Sequence, residues 1–245
     1  MALAAAAGHR VVLVTATRGE QGEPQPGVLE EGEELGQRRE KELAESCQVL
    51  GADPPIFLGY EDSGMVDEST NENPDCFWQA DQQEAAERLA AVLREVEANV
   101  LTVYDDHGLY GHPDHIQVHK VGLAAAQLAE VPHVYEATVN RDRALASMEE
   151  LGPMLEEADV EGPSADDFSE IGLPENDLSF MIDISSVITK KRAALAAHKS
   201  QISEQSFFLA LPDEVFSQMF AWEWFAIPGQ TGTGGPEEVE LLPGL

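Results

Sequence analysis

The chain has 245 residues, 43% of them hydrophobic, with Trp, Phe and Tyr throughout, which suits one large α/β domain and disfavours a disordered chain. Its formal charge is −32, from 14 basic and 46 acidic residues spread along the chain, so partners held through phosphates, such as nucleic acids or anionic membrane surfaces, are disfavoured. The two cysteines, Cys47 and Cys76, have no metal or redox spacing, and no apolar run reaches about 18 residues, so a reduced cytoplasmic setting without a membrane span is expected.

The opening MALAAAAG reads as the end of a helix stopped at Gly8, followed at once by a buried strand over 10–15, RVVLVT. Residues 35–50 form an amphipathic helix with Leu43, Cys47 and Leu50 on one stripe. A short strand at 56–58 precedes a second amphipathic helix at 82–96, with Ala85, Leu89, Val92, Leu93 and Val96 turned inward. A strand at 100–104, VLTVY, feeds a helix at 116–128, and a strand at 133–138 follows. Such alternation predicts a Rossmann-like three-layer α/β fold with a mostly parallel sheet and helices on both faces. From 145 the character changes to a helix and then an acidic insertion, about 146–178, broken by Gly and Pro. Next come a strand at 179–184, a helix at 187–200, a short helix at 212–220 and an aromatic strand at 222–226. The tail 228–245 is acidic and Gly-rich and is expected to be disordered, leaving 1–227 as one domain.

Four loops carry most of the polar interest: TRGEQGE at 17–23, GYEDSGM at 59–65, YDDHGLYGHPDH at 104–115 and the region after the strand at 133–138. In an open parallel sheet the loops after the strands converge at one edge. The densest stretch is YGHPDH at 110–115, with His119 one turn further on. Pro113 suits a first helical position, where its missing N–H has no partner to lose. Clustered imidazoles beside a carboxylate suit metal binding and acid–base work. Alone, the stretch is equally a helix-start loop whose histidines only hydrogen-bond. Asp105 and Asp106 read as ordinary adjacent carboxylates, His9 as a surface residue and His133 as a structural one. His119 is either a neighbour of the site or a satisfied helix histidine, and His198 lies near the site or caps a helix.

Taken together, TRGEQGE, Arg39 and Glu42 of an R-x-x-E helix, GYEDSGM, YGHPDH and ALAAHKSQ at 194–201 resemble the PIG-L / LmbE-like deacetylases. The likeness runs from the first residues to about 201 and is greatest to the bacterial branch acting on glucosaminyl-inositol compounds and mycothiol conjugates. It implies a zinc-dependent hydrolase, Fe2+ or another divalent metal also being possible, that removes the acyl group of an N-acylated amino sugar through a metal-bound water. In the family, H-P-D-H supplies a ligand with its last histidine, here His115. His112 maps to the group that stabilises the oxyanion and protonates the leaving amine, Tyr110 to a tyrosine that polarises the amide carbonyl, and Asp114 to the residue that orients His112. Arg39 and Asp62 fall where the family contacts the sugar or inositol. A catalytic zinc needs three protein ligands and an open position, and lowers the pKa of its water toward 7. A carboxylate beside His112 is expected to favour its protonated form.

The chain contains no H-P-D-D, the family motif that holds two further ligands and the general base. The family places it after a first strand, ahead of the helix into which Met1 falls. The expectation is that about 20 to 25 residues, a strand, a loop and a helix start, belong before Met1, or that the chain is a truncated relative without activity. Either way residues 1–245 alone are expected to bind zinc poorly and to be inactive. Two alternatives are an amidase of mycothiol-type thiol conjugates using the same site, and a non-catalytic protein that keeps a sugar pocket through Arg39 and Asp62. A nucleotide binder is disfavoured, since no G-x-G-x-x-G follows a strand. The partner is expected to be a small amino-sugar molecule, and oligomeric state is not legible.

Overall fold

Val100–Tyr104 forms the strand that its β-branched and aromatic run predicts, and it sits at the end of the larger of two sheets in a computed structural model that describes residues 1–157 and 171–245, with the helix backbone alone over 151–157. In chain order the strands are β1 (Val14–Thr15), β2 (Ile56–Phe57), β3 (Val100–Tyr104), β4 (His133–Thr138), β5 (Phe180–Asp183), β6 (Trp222–Ala226) and β7 (Glu237–Glu238). β1 and β2 pair in parallel as one ladder; the second sheet has the order β3-β4-β6-β5-β7. Within it β3 with β4 and β5 with β7 are parallel, and β6 runs antiparallel between β4 and β5. The architecture is thus mixed α/β with mostly parallel pairing. No hydrogen-bonded ladder joins β1 to β3 among the described residues.

The helices that frame the site are α1 (Ala2–Ala6), α2 (Leu35–Leu50) and α3 (Gln82–Glu95), followed by Pro113–Ala129. Asp81 caps α3 by accepting from the Glu84 N–H at 2.9 Å, and Gly51, at φ +78°, closes α2 in the left-handed conformation that glycine adopts without a Cβ penalty. Small residues let α3 lie close on Pro113–Ala129: Ala85, Ala86 and Ala90 are buried together with Val121 and Ala125. Phe77 and Leu89 complete this core, each stabilising it by about 1.5–3 kcal/mol through burial. Gly122 faces Val103, and a Cβ there would collide with it.

Several expectations need correction. The helix expected at 116–128 begins at Pro113, because His112 caps it, so the PDH of YGHPDH is already helical. The tail 228–245, expected to be disordered, packs on the sheet. Glu237–Glu238 pairs with β5, the Val239 N–H donates to Met181 O at 3.0 Å, and the Tyr135 hydroxyl donates to Pro243 O at 2.9 Å. Composition registered its glycines and acids but not that Val239 and Leu242 cover the Tyr135, Ile182 and Phe225 cluster. Of the acidic insertion placed at about 146–178, the first part belongs to the helix Arg141–Glu157 and residues 158–170 lie outside the described residues. The segment that follows is seated: Leu173 N–H donates to Val139 O at 2.9 Å, and Leu178 is buried. Among the described residues no helix is long and apolar enough to cross a membrane.

Candidate active site

The loop from Tyr104 to His112 is built around a carboxylate that reads in the sequence as one of an ordinary adjacent pair. Asp105, fully buried at the end of β3, accepts from the Leu109 N–H at 2.6 Å and from the Thr138 hydroxyl at 2.5 Å. It also lies 3.4 Å from His107 Nδ1, whereas Asp106 points outward, so the adjacent pair is structural rather than a metal site. Asp105 thereby ties the loop to β4 and holds Leu109 at φ +69° and ψ −54°, a conformation that side chains other than glycine rarely adopt. Gly108, at φ +68°, lies so close to the following helix that a Cβ would stand 2.8 Å from both His115 Cβ and Ile116 N.

Four rings gather above this turn. Tyr104 stacks on His115 with ring centroids 4.0 Å apart, His112 stacks on His115 at 4.9 Å, and Tyr110 meets His115 edge-on at 5.1 Å. His115 turns Nδ1 toward Gly108 O at 3.3 Å, which leaves Nε2 as its free nitrogen. Burial, with the His112 ring second, pushes its pKa down to about 4, so the ring is neutral at pH 7. His112 is the N-cap of Pro113–Ala129: its Nδ1 accepts from the Asp114 N–H at 3.1 Å, which places the proton of the neutral ring on Nε2. The sequence predicts a protonated His112. In the structure burial outweighs the charges of Asp62 and Glu68 and lowers its pKa. Burial also raises the Tyr110 pKa, with Asp62 adding to it, so Tyr110 is a protonated phenol near neutral pH.

Asp62 stands among these groups. Its charge acts on Arg39, Tyr110, His112, Asp114 and His115, so the loops after β2 and β3 and the helix α2 do meet at one edge. Asp62 is fixed by the N–H groups of Gln21 at 3.0 Å and Gly64 at 3.1 Å. Asp114 meets His112 through its backbone N–H and not, as the sequence suggests, through its carboxylate. That carboxylate accepts from Ser63 Oγ, from the Ser63 N–H at 3.3 Å and from Thr17 Oγ1 at 3.4 Å. Burial raises its pKa to about 6 against the lowering effect of Ser63. Arg39 is half-buried, donates from Nη1 to Gly19 O, and keeps a buried Nε with no partner among the described residues. Burial lowers its pKa despite Asp62, Glu42 and Glu20 nearby. Glu42, buried beside it, receives the Ser200 N–H at 2.8 Å and hydroxyl at 2.6 Å and so docks the ALAAHKS segment. His198 caps the helix Ile188–Ala197 there, near Glu42 and Arg39. His119 is satisfied by Tyr104 O at 3.0 Å with Glu136 at 3.5 Å.

A catalytic zinc takes three protein ligands. Among the described residues no group of three or more His, Cys, Asp or Glu side chains is placed to hold a metal, so this donor set does not fit one; His115 Nε2 is a single donor. Ser63 and Glu136 were missed in the sequence, and Asp105 was read there only as an ordinary carboxylate, because their importance arises from partners far along the chain.

Residues 1–126 match the PIG-L family, described as GlcNAc-PI de-N-acetylase. A 1D-myo-inositol 2-acetamido-2-deoxy-alpha-D-glucopyranoside deacetylase of Thermobifida fusca (strain YX) is 38% identical over 260 aligned residues, covering 98% of this chain and 90% of that protein. Among solved structures, N,N'-diacetylchitobiose deacetylase from Pyrococcus horikoshii is similar at a TM-score of 0.53 and 18% identity, over 92% of this chain and 75% of that one. A 4-carboxy-2-hydroxymuconate hydratase from Pseudomonas putida KT2440 is similar at the same TM-score of 0.53 and 18% identity, over 92% of this chain and 86% of that one. At these identities the structural likeness shows the fold alone, and this fold carries more than one chemistry.

Proposed function

The chain belongs to the PIG-L family of GlcNAc-PI de-N-acetylases, and we propose that it serves hydrolysis of the acetamide of an N-acetylglucosaminyl-inositol-type substrate. The observation that carries this reading is the meeting of Arg39, Tyr110, His112, Asp114 and His115 around Asp62.

In amide hydrolysis the water oxygen joins the acyl carbon, the C–N bond breaks, and a proton released by that water ends on the nitrogen. Charge develops on the carbonyl oxygen, and donors aimed at it are the largest catalytic contribution a site of this kind makes. Tyr110, a protonated and partly exposed phenol, donates to that oxygen. His112 does the same from Nε2–H. A neutral imidazole at a helix start, its Nδ1 held by the Asp114 N–H, is a hydrogen-bond donor to an oxyanion rather than a proton reservoir. This assigns His112 the first of its two expected roles and not the second. Asp114 braces the Ser63 loop against the helix and so positions His112. The Arg39 guanidinium and the Asp62 carboxylate are assigned to hydroxyls of the sugar or inositol.

The donors do not fit a zinc or an Fe2+ as a set, so no step is assigned to a metal, and residues 1–245 alone are proposed to bind zinc weakly. That donor set favours one second reading, an amino-sugar binder without turnover. Titration calorimetry with N-acetylglucosaminyl-inositol, beside an acetate-release assay with and without added zinc, tests both readings. Binding that Arg39→Ala weakens supports the pocket, and acetate release decides between hydrolase and binder. No binding at millimolar substrate overturns both. A mycothiol-type thiol conjugate assayed in parallel tests the amidase alternative.

A further inference from the structure

The His115 ring has little freedom to turn. It lies parallel to Tyr104, with 5° between the planes and 4.0 Å between the centroids, and His112 and Tyr110 stand at 4.9 and 5.1 Å. The backbone of Gly108 closes on its Cβ, and its Nδ1 faces Gly108 O at 3.3 Å. A neutral imidazole carries one proton, and the bond made by one nitrogen fixes the state of the other. With Nδ1–H donated to Gly108 O, Nε2 is bare. Tyr104, the nearest of these rings, is itself held at its backbone. It is the last residue of β3, in register with Ala137 of β4. His119, one turn beyond His115, donates from Nδ1 to Tyr104 O at 3.0 Å, and Glu136 of β4 lies 3.5 Å from the same nitrogen. Asp105, the next residue, accepts from the Thr138 hydroxyl at 2.5 Å. A chain of contacts therefore runs from β4 through Glu136, His119 and Tyr104 to His115.

We propose that Tyr104 is a positioning residue, whose ring, anchored to the sheet through His119, sets the plane of His115 and keeps its bare Nε2 turned into the site. A bare nitrogen accepts hydrogen bonds, whereas His112 Nε2–H and the Tyr110 hydroxyl donate them. The stack thus sets one acceptor beside two donors. Amide hydrolysis needs that polarity, since the attacking water gives up protons while the carbonyl oxygen gains charge. This use of Nε2 rests on the hydrolase reading; the geometry of the ring does not. A flat ring at the end of a strand resists rotation of its neighbour more than a flexible aliphatic side chain does. Direction matters, because a misplaced group at a reacting centre costs about 10²-fold in rate. The Tyr104 hydroxyl has no share in this: the ring faces make the stack, so phenylalanine serves equally.

The test is the imidazole nitrogen NMR spectrum of the isotope-labelled full chain at pH 7, where His115 is neutral, with His115→Gln to assign its signals. The native protein is expected to show one tautomer of His115, Nδ1 protonated and Nε2 bare, and the opposite tautomer of His112. Tyr104→Phe is expected to leave both patterns unchanged. Tyr104→Leu is expected to move the His115 nitrogens to the averaged position of two exchanging tautomers, while His112 and the backbone amides of β3 and β4 keep theirs. Should Tyr104→Leu lose the amide dispersion of the folded chain, His119→Ala is read in its stead, with the same averaging expected. That variant removes the hydrogen bond at Tyr104 O and alters no ring of the stack. Three outcomes overturn the proposal: an averaged or Nε2-protonated His115 in the native chain, averaging in Tyr104→Phe, or a native pattern retained in Tyr104→Leu or its substitute. Absence of acetate release bears on hydrolysis alone, because the tautomer is read without turnover.

Discussion

Glu136 lies in β4, 7% exposed, with its carboxylate 3.5 Å from His119 Nδ1 and close to the charges of Asp106 and Asp105. Burial first, and those two aspartates next, push its pKa from an ordinary 4.5 up to about 7. The native state therefore keeps a proton between pH 4.5 and 7 that the unfolded chain has released. Where the native state binds more protons, stability falls as pH rises, so this group's contribution is present below pH 4.5 and lost by the time pH passes about 7. At 1.36 kcal/mol per pH unit, that window amounts to about 3 kcal/mol. Glu136→Gln removes the titration while keeping the shape. Urea unfolding of both proteins at pH 5 and pH 8 gives four stabilities. Titrations shared by the two proteins cancel in the comparison. The native protein is expected to lose about 2.5 kcal/mol more than the variant between the two pH values, because pH 5 already lies inside the window. An equal loss in both would refute the buried, proton-holding Glu136.

Gly108→Ala combines a positive φ with a Cβ 2.8 Å from His115 Cβ, and is expected to cost about 2–4 kcal/mol in denaturant unfolding; a neutral outcome would mean the loop is looser than it looks. Leu242→Ala empties a buried place over the Tyr135 cluster and should cost about 2–5 kcal/mol, whereas a disordered tail would give no change in thermal midpoint. Glu42→Ala leaves the Ser200 N–H and hydroxyl without their acceptor, a loss of about 1–3 kcal/mol, and should weaken amino-sugar binding by releasing the segment beside Arg39; calorimetry reads both. In any preparation that releases acetate, His112→Ala is expected to lower kcat about 10²–10³-fold and leave substrate affinity near the native value, and an unchanged rate removes His112 from the mechanism.

Local periodicity carries no information about distant partners, and the division between legible and hidden features follows that line. The amphipathic stripe of 35–50 and the β-branched run of 100–104 declare themselves because helix and strand formation depend on neighbours within a few residues. Family membership is equally local: short motifs in order, among them YGHPDH, lie within residues 1–126 that match the family. The antiparallel insertion of β6 between β4 and β5 is different, because nothing within Trp222–Ala226 encodes its direction. The ordered tail is likewise invisible, since its glycines and acids are read before the apolar cluster that Leu242 covers is known.

At the candidate site the residue identities of Arg39, Asp62, Tyr110, His112, Asp114 and His115 were legible, but their states were not. His112 is neutral because tertiary packing buries it and the Asp114 N–H occupies Nδ1. Asp114 turns its carboxylate to Ser63, 51 residues away in the chain. The sequence by itself determined which residues are present, which segments are helix or strand, and which family the chain belongs to. Only the tertiary structure decided the protonation of those residues and their partners. Desolvation, charge–charge distance and strand pairing are properties of the folded neighbourhood, not of the segment that carries the side chain.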